Sequence, residues 1–305
     1  MRIFVTGASG WIGSALVPEL VQANHQVVGL ARSDASAAAL AAAGTEVVRG
    51  DIDDLEILRR AVDHCDGVVH LAFKHEIAFS AEGMVAAAAA DLRAIDAIGE
   101  TLSGSDRPFV IASGTPAVPG RVATEHDDAA AVGPAAARAA NARSVVAFAA
   151  RGVRSSVVRL PRSVHGKGER HGFIPRLIAI AREKGVSGYV GDGSSRWPAV
   201  HVLDAAHLFR LALEKAEPGS VLHAVGDEGV PTRDIAAVIG RHLNIPVACA
   251  PTEDFGFLGM VLAGDQPASS ALTRELLGWR PVQAGLIEDL DAGHYFALAD
   301  VGLRT

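Results

Sequence analysis

The chain has 305 residues, 49% hydrophobic and 21% charged, the composition of a globule with a sizeable core rather than of a disordered or low-complexity protein. A formal charge of −7 excludes the dominant basic face that neutralises nucleic-acid phosphates, and it favours solubility. The two cysteines, Cys65 and Cys249, supply no disulfide framework, which suits a reducing compartment and makes the cytoplasm the expected location.

In chain order, short apolar runs rich in β-branched residues alternate with helical patterns. The strands are expected at Ile3–Thr6, Gln26–Leu30, Glu46–Arg49, Gly67–Leu71, Phe109–Ala112, Ser156–Leu160 and Val221–Val225. The helices are expected at roughly 12–23, 35–43, 53–63, 83–102, 134–151, 174–184 and 203–215. That alternation implies an α/β fold, a doubly wound parallel sheet of the Rossmann type. The unbroken apolarity of Val68-Val69-His70-Leu71-Ala72 suits strands covered on both faces. Pro18, inside the first helix, is expected to kink that helix or end it early. The first strand begins too close to Met1 for a signal peptide, and no apolar run nears the roughly 20 residues that span a bilayer, so no membrane partner is expected.

The texture changes at Gly166, where Gly, Pro and His become frequent. The expected organisation is a nucleotide-binding domain over 1–165, with 201–226 returning to it. A smaller substrate lobe, interleaved in sequence, takes 166–200 and 227–305.

After the first strand comes Thr6-Gly7-Ala8-Ser9-Gly10-Trp11-Ile12-Gly13, then a helix. Glycines there let backbone approach a pyrophosphate, whose charge the free N–H groups of a helix N-terminus stabilise. Gly7, Gly10, Trp11, Ile12 and Gly13 are therefore candidate cofactor residues, and the cofactor is a nicotinamide dinucleotide.

The loop resembles that of the short-chain dehydrogenase/reductase superfamily, in its extended and atypical, NAD-dependent epimerase/dehydratase-like branch. Further segments are similar in order: Gly50-Asp51-Ile52-Asp53, Val69-His70-Leu71-Ala72, Gly191-Asp192-Gly193 with Arg196-Trp197-Pro198-Ala199-Val200-His201-Val202 and Asp204, and Glu275-Leu276-Leu277-Gly278-Trp279-Arg280-Pro281. The resemblance implies adenine contacts from Asp51 and Ile52 and cofactor contacts from Leu71, Ala72 and Phe73. It places Arg196 near bound substrate. In the family an acid ending the second strand holds the adenosine ribose of NAD, whereas here that strand ends Ala31-Arg32-Ser33. Arg32, 19 residues after Gly13 and flanked by Ser33, suits a 2′-phosphate, so NADP is expected ahead of NAD; the other reading of Arg32 is a solvated loop residue.

The family's Tyr-x-x-x-Lys pair is absent. Tyr189 is followed four residues on by Gly193, and Tyr295 by Ala299. Register puts the tyrosine position near Pro134 and the lysine position near Arg138, which can steady a ribose but not act as a general acid at neutral pH. The catalytic hydroxyl of the family falls on Thr115, with Ser113 as the neighbour in reserve. Candidate proton donors are Lys74 and His75, after the fourth strand, and His165, after the sixth, all at strand ends where ligands of doubly wound sheets bind. Arg162, Lys167, Arg170, His171 and Arg176 form a basic patch suited either to an anionic substrate or to solvent. No metal site is expected, since His75-Glu76 meets Phe79 where a zinc helix needs histidine.

The function this implies is an NADP-dependent oxidoreductase acting on a small carbonyl or alcohol. The alternatives are a non-redox epimerase or dehydratase that keeps its dinucleotide, and a dinucleotide-binding sensor without turnover. The expected partner is a small-molecule substrate, and a homodimer is compatible with the sequence.

Overall fold

The apolar runs pair side by side, as unbroken Val/Ile-rich segments do when both faces are covered. In the computed structural model, which describes residues 1–78, 80–128 and 135–297, the first half reads β1 (Arg2–Thr6), α1 (Trp11–Gln22), β2 (Gln26–Ala31), α2 (Asp34–Ala42), β3 (Glu46–Arg49), α3 (Leu55–Asp63), β4 (Gly67–His70), α4 (Ala81–Leu102), β5 (Pro108–Gly114), α5 (Ala135–Ala147) and β6 (Arg154–Leu160). The second half continues with β7 (Ser163–His165), α6 (Phe173–Lys184), β8 (Ser187–Tyr189), β9 (Arg196–His201), α7 (Val202–Lys215) and β10 (Ser220–His223). It closes with β11 (Asp227–Pro231), α8 (Thr232–Leu243), β12 (Val247–Cys249), α9 (Phe257–Ala263), α10 (Ala271–Leu277) and α11 (Leu286–Asp291).

Seven parallel strands form one sheet in the order β10-β6-β5-β4-β1-β2-β3. These are the seven strands expected from the sequence. The order reverses between β1 and β4, which opens a crevice at the carboxyl ends of those two strands. Helices cover both faces: Leu16, Leu20, Leu40, Phe209 and Leu213 of α1, α2 and α7 fill one core, and Leu58, Ile95, Ile98 and Val145 of α3, α4 and α5 fill the other. Burying each such side chain is worth about 1.5–3 kcal/mol.

Outside the central sheet, β11, β9 and β7 make a three-stranded sheet and β12 pairs with β8. They enclose a third core around Ile174, Leu177, Trp197, Ile235 and Ile239. Trp279 belongs elsewhere: it is fully buried in the α1–α7 core, and its indole N–H donates to the Asp204 carbonyl at 3.0 Å.

The expectation that Pro18 ends the first helix early is corrected. Helix α1 runs on to Gln22 with Pro18 inside it. Pro18 and Ser14 both lie on the exposed face, so the Ser14 carbonyl that loses its helical partner meets water rather than the core.

Candidate functional site

Three neighbouring strands, β1, β4 and β5, deliver the site to one edge of the sheet. Past β1, Gly7 turns with φ +67°, and a Cβ there would lie 2.7 Å from the Ala72 nitrogen, so only glycine lets the loop touch the end of β4. At Gly13 a Cβ would lie 2.2 Å from the Gly7 carbonyl oxygen, because α1 packs on the loop. Gly10 differs: its one close contact would be the Gly7 oxygen at 3.1 Å, and the side chain would otherwise enter open space in front of α1. No side chain caps that end of α1, and no acid stands in its first turn. Its N–H groups and the positive end of its dipole are thus offered to an anion. A dinucleotide pyrophosphate fits this cradle.

The first turn of α1 also reaches across the molecule. The Trp11 indole N–H donates to the Val164 carbonyl in β7 at 2.7 Å, while Ile12 packs into the α1–α7 core.

At the end of β4 lies a buried polar chain that sequence reading missed. The Ala72 N–H donates to Thr6 Oγ1 (3.2 Å), and the Thr6 hydroxyl lies 2.8 Å from His70 Nδ1. His70 Nε2 is 3.0 Å from Asp91 Oδ1 on α4, and Asn141 on α5 donates to Asp91 Oδ2 at 2.7 Å and to the Ala88 carbonyl at 2.8 Å. Thr6, His70, Asp91 and Asn141 are all buried. With Ala72 donating into Thr6, the hydroxyl proton goes to Nδ1 and the ring proton sits on Nε2 facing Asp91. Burial alone would raise the Asp91 pKa, but His70 and Asn141 outweigh it and hold the carboxyl below its ordinary range. Every group in the chain is satisfied, so it fixes the Leu71–Ala72 backbone against both helices.

At the carboxyl end of β2, Arg32 donates to Glu76 at 2.6 Å. Ser33, expected at the cofactor, is occupied: its hydroxyl caps α2 through the Ser36 N–H. Asp51 opens the turn before α3, and Ile52 is buried under it. Lys74 is paired with Asp53 and lies 3.5 Å from Asp51, so its ammonium faces these two acids and its pKa is raised by the Asp53 hydrogen bond.

Phe73 carries Arg138 and His75. The Arg138 guanidinium stands 4.3 Å from the Phe73 ring centroid, and the His75 ring packs edge-on at 5.0 Å. Although His75 is exposed at the surface, loss of hydration against its neighbours first, then the Arg138 charge, hold its imidazole below the usual value. Pro134, the register position of the family tyrosine, lies outside the described residues.

His165 requires a correction. It is 0% exposed, bonded through Nδ1 to Asp289 at 2.9 Å and packed edge-on against His201, so it does not open on the crevice. Beside it, the Tyr295 hydroxyl accepts from the Gly166 N–H and donates to Glu169 at 2.7 Å, and burial pushes the Glu169 carboxyl up to about 7.

Thr115 follows β5, its N–H bonded to the Leu160 carbonyl at 2.9 Å. Its own carbonyl accepts from Gln266 Nε2 at 2.5 Å, and its hydroxyl lies 3.5 Å from the same nitrogen. Arg196 is bound by Asp265 through Nε (3.0 Å) and Nη2 (2.7 Å). Gln266, Asp265 and Glu76 carry no local signal in the sequence, because their partners lie 44 to 151 residues away. Among the described residues, no group of three His, Cys, Asp or Glu is placed to hold a metal, and no helix is long and apolar enough to cross a membrane.

A family model for the NAD dependent epimerase/dehydratase family matches residues 3–225. An uncharacterised protein of Schizosaccharomyces pombe is 46% identical over 302 residues, covering 97% of this chain and 100% of its own. A 2-alkyl-3-oxoalkanoate reductase of Stenotrophomonas maltophilia is 32% identical over 234 residues, 72% of this chain and 67% of its own. Among solved structures, a UDP-glucose 4-epimerase of Thermotoga maritima, crystallised with UDP-glucose, has the same fold with a TM-score of 0.80 and 21% identity, over 97% of this chain and 98% of its own.

Proposed function

The chain belongs to the NAD dependent epimerase/dehydratase family, and from that premise we propose that it is an NADPH-dependent reductase of a small carbonyl compound. One observation carries the reading: adjacent strands β1, β4 and β5 bring an open glycine cradle, a pinned Leu71–Ala72 backbone and the Thr115 hydroxyl to the same edge of the sheet. The reductase of Stenotrophomonas maltophilia supports the choice of carbonyl reduction.

Gly7, Gly10, Trp11, Ile12 and Gly13 would hold the pyrophosphate, Arg32 the 2′-phosphate, Asp51 and Ile52 the adenine, and Leu71, Ala72 and Phe73 the face toward the nicotinamide. When bound, the cofactor supplies a hydride to the carbonyl carbon and leaves oxidised. The carbonyl π pair then moves to oxygen beside the Thr115 hydroxyl, and a proton completes the alcohol. His75 is assigned as its donor, since Lys74 is held by Asp51 and Asp53 and His165 is enclosed. Arg138, over Phe73, steadies this wall.

The test is NADPH oxidation against a panel of small ketones and aldehydes, with cofactor binding measured separately. Tight NADPH binding with no oxidation by any member overturns the redox reading in favour of a non-redox or sensing role.

A further inference from the structure

The segment from Gly264 to Ser269 crosses from the lobe to the nucleotide half and is fastened on both banks. On the lobe side the Gln266 N–H donates to the Arg196 carbonyl at 3.1 Å, and the Ala268 N–H to the Glu228 carbonyl at 2.9 Å. On the other bank the Ser269 N–H donates to the Ala123 carbonyl at 2.8 Å, and the Ala123 N–H to the Pro267 carbonyl at 2.9 Å. The strap therefore presents its side chains at a fixed place over the end of β5.

The Gln266 amide is oriented rather than free to flip. Its Oε1 accepts from Arg162 Nε at 2.5 Å, which turns the NH2 group toward Thr115. One hydrogen goes to the Thr115 carbonyl, and the nitrogen lies 3.5 Å from Thr115 Oγ1. Both amide hydrogens are thus directed at Thr115, one at its carbonyl and one toward its hydroxyl oxygen, so the hydroxyl oxygen is held as an acceptor and its own hydrogen is left to be donated elsewhere.

Two cations beside the strap, Arg162 and Arg196, are already committed. Arg162 donates to Gln266 and to the Val261 and Gly264 carbonyls. Arg196 is held by both carboxylate oxygens of Asp265, which also accept its backbone N–H at 2.8 Å. A bidentate pair of this kind leaves little for a second anion.

We propose that Gln266 is a positioning residue that holds the Thr115 hydroxyl oxygen so that its hydrogen is given to the oxygen of a compact, uncharged carbonyl compound, while the Asp265–Arg196 pair leaves Arg196 with no free charge for carboxylate- and phosphate-bearing substrates. The assignment rests on the reductase reading above.

The experiment compares ethyl acetoacetate, which is neutral, with acetoacetate, its anionic counterpart, as NADPH-linked substrates of the full chain. Gln266→Leu keeps the side chain's bulk and removes its donors. It is expected to lower kcat/KM for ethyl acetoacetate about 100-fold, mostly in kcat, with NADPH affinity unchanged. Gln266→Asn, which keeps an amide, is expected to recover part of that loss. Asp265→Asn, on the exposed strap, releases Arg196 and is expected to raise the acetoacetate-to-ethyl acetoacetate ratio of kcat/KM about tenfold. Full activity in Gln266→Leu overturns the positioning role, and an unchanged ratio in Asp265→Asn overturns the exclusion. A wild type that binds NADPH but reduces neither compound, nor any other carbonyl of the panel, fails at the reductase reading itself and removes this assignment with it.

Discussion

The Arg32 guanidinium donates to the Glu76 carboxylate across 2.6 Å, joining the end of β2 to the loop after β4. The two side chains are 61% and 48% exposed, so the pair itself adds little stability. On the proposed reading its importance is for cofactor choice: a 2′-phosphate would have to take Arg32 away from Glu76, whereas the ribose hydroxyls of NADH would find in Glu76 the acid that β2 lacks. Glu76→Gln is therefore expected to strengthen NADPH about tenfold and weaken NADH, and Arg32→Ala to reverse the order of affinities. Titration of both cofactors checks this, and equal affinities in the wild type would remove the argument.

The glycine loop separates binding from folding. Gly10→Val places its branches in the open space before α1, so dinucleotide binding is expected to disappear with the thermal midpoint nearly unchanged. Gly13→Val drives a side chain into the Gly7 and Ala8 carbonyls, where a Cβ already falls at 2.2 and 2.6 Å, and should destabilise the fold itself. Calorimetric titration paired with thermal melts distinguishes the two. Normal NADPH binding by Gly10→Val refutes the cradle.

If His75 donates the proton, its protonated form is the active one. Loss of hydration against its neighbours and the Arg138 charge lower its pKa, so kcat/KM should fall as pH rises, with the midpoint on the acid side of the ordinary imidazole value. His75→Ala should lower kcat/KM about 10²-fold and flatten the profile, leaving NADPH affinity intact. A pH profile identical in the variant assigns the proton to water.

Glu169 gives a signature in stability rather than activity. Its folded pKa is raised to about 7 by burial, against 4.5 in an ordinary setting. Below pH 4.5 both folded and unfolded chains hold the proton. As pH rises from there to 7 only the unfolded chain ionises, so stability is lost across that window, by about 3 kcal/mol in all. Glu169→Gln, which keeps the Tyr295 contact without the charge, should remove the slope. Urea unfolding at pH 4, 5.5 and 7.5 measures it, and parallel curves for both proteins contradict the assignment.

The sheet was readable because every one of its strands is a local apolar run, and the glycine loop because its spacing is local too. Pro18 misled, since local propensity does not say that Ser14 faces water. His165 was expected in the crevice from its place after β6. Strand side chains alternate, however, and in β7 the alternation buries His165 while Val164 stays partly exposed. Glu76, Asp91, Asn141 and Gln266 were silent for another reason: each is defined by a partner brought near only by the completed fold.

The indole of Trp11 has a mechanical meaning beyond its hydrogen bond to Val164. It is a rivet between the glycine turn and a strand of the three-stranded sheet. A ligand that stiffens that turn would be felt in β7 and, through its pairing with β9, in the strand that begins at Arg196 beside the strap.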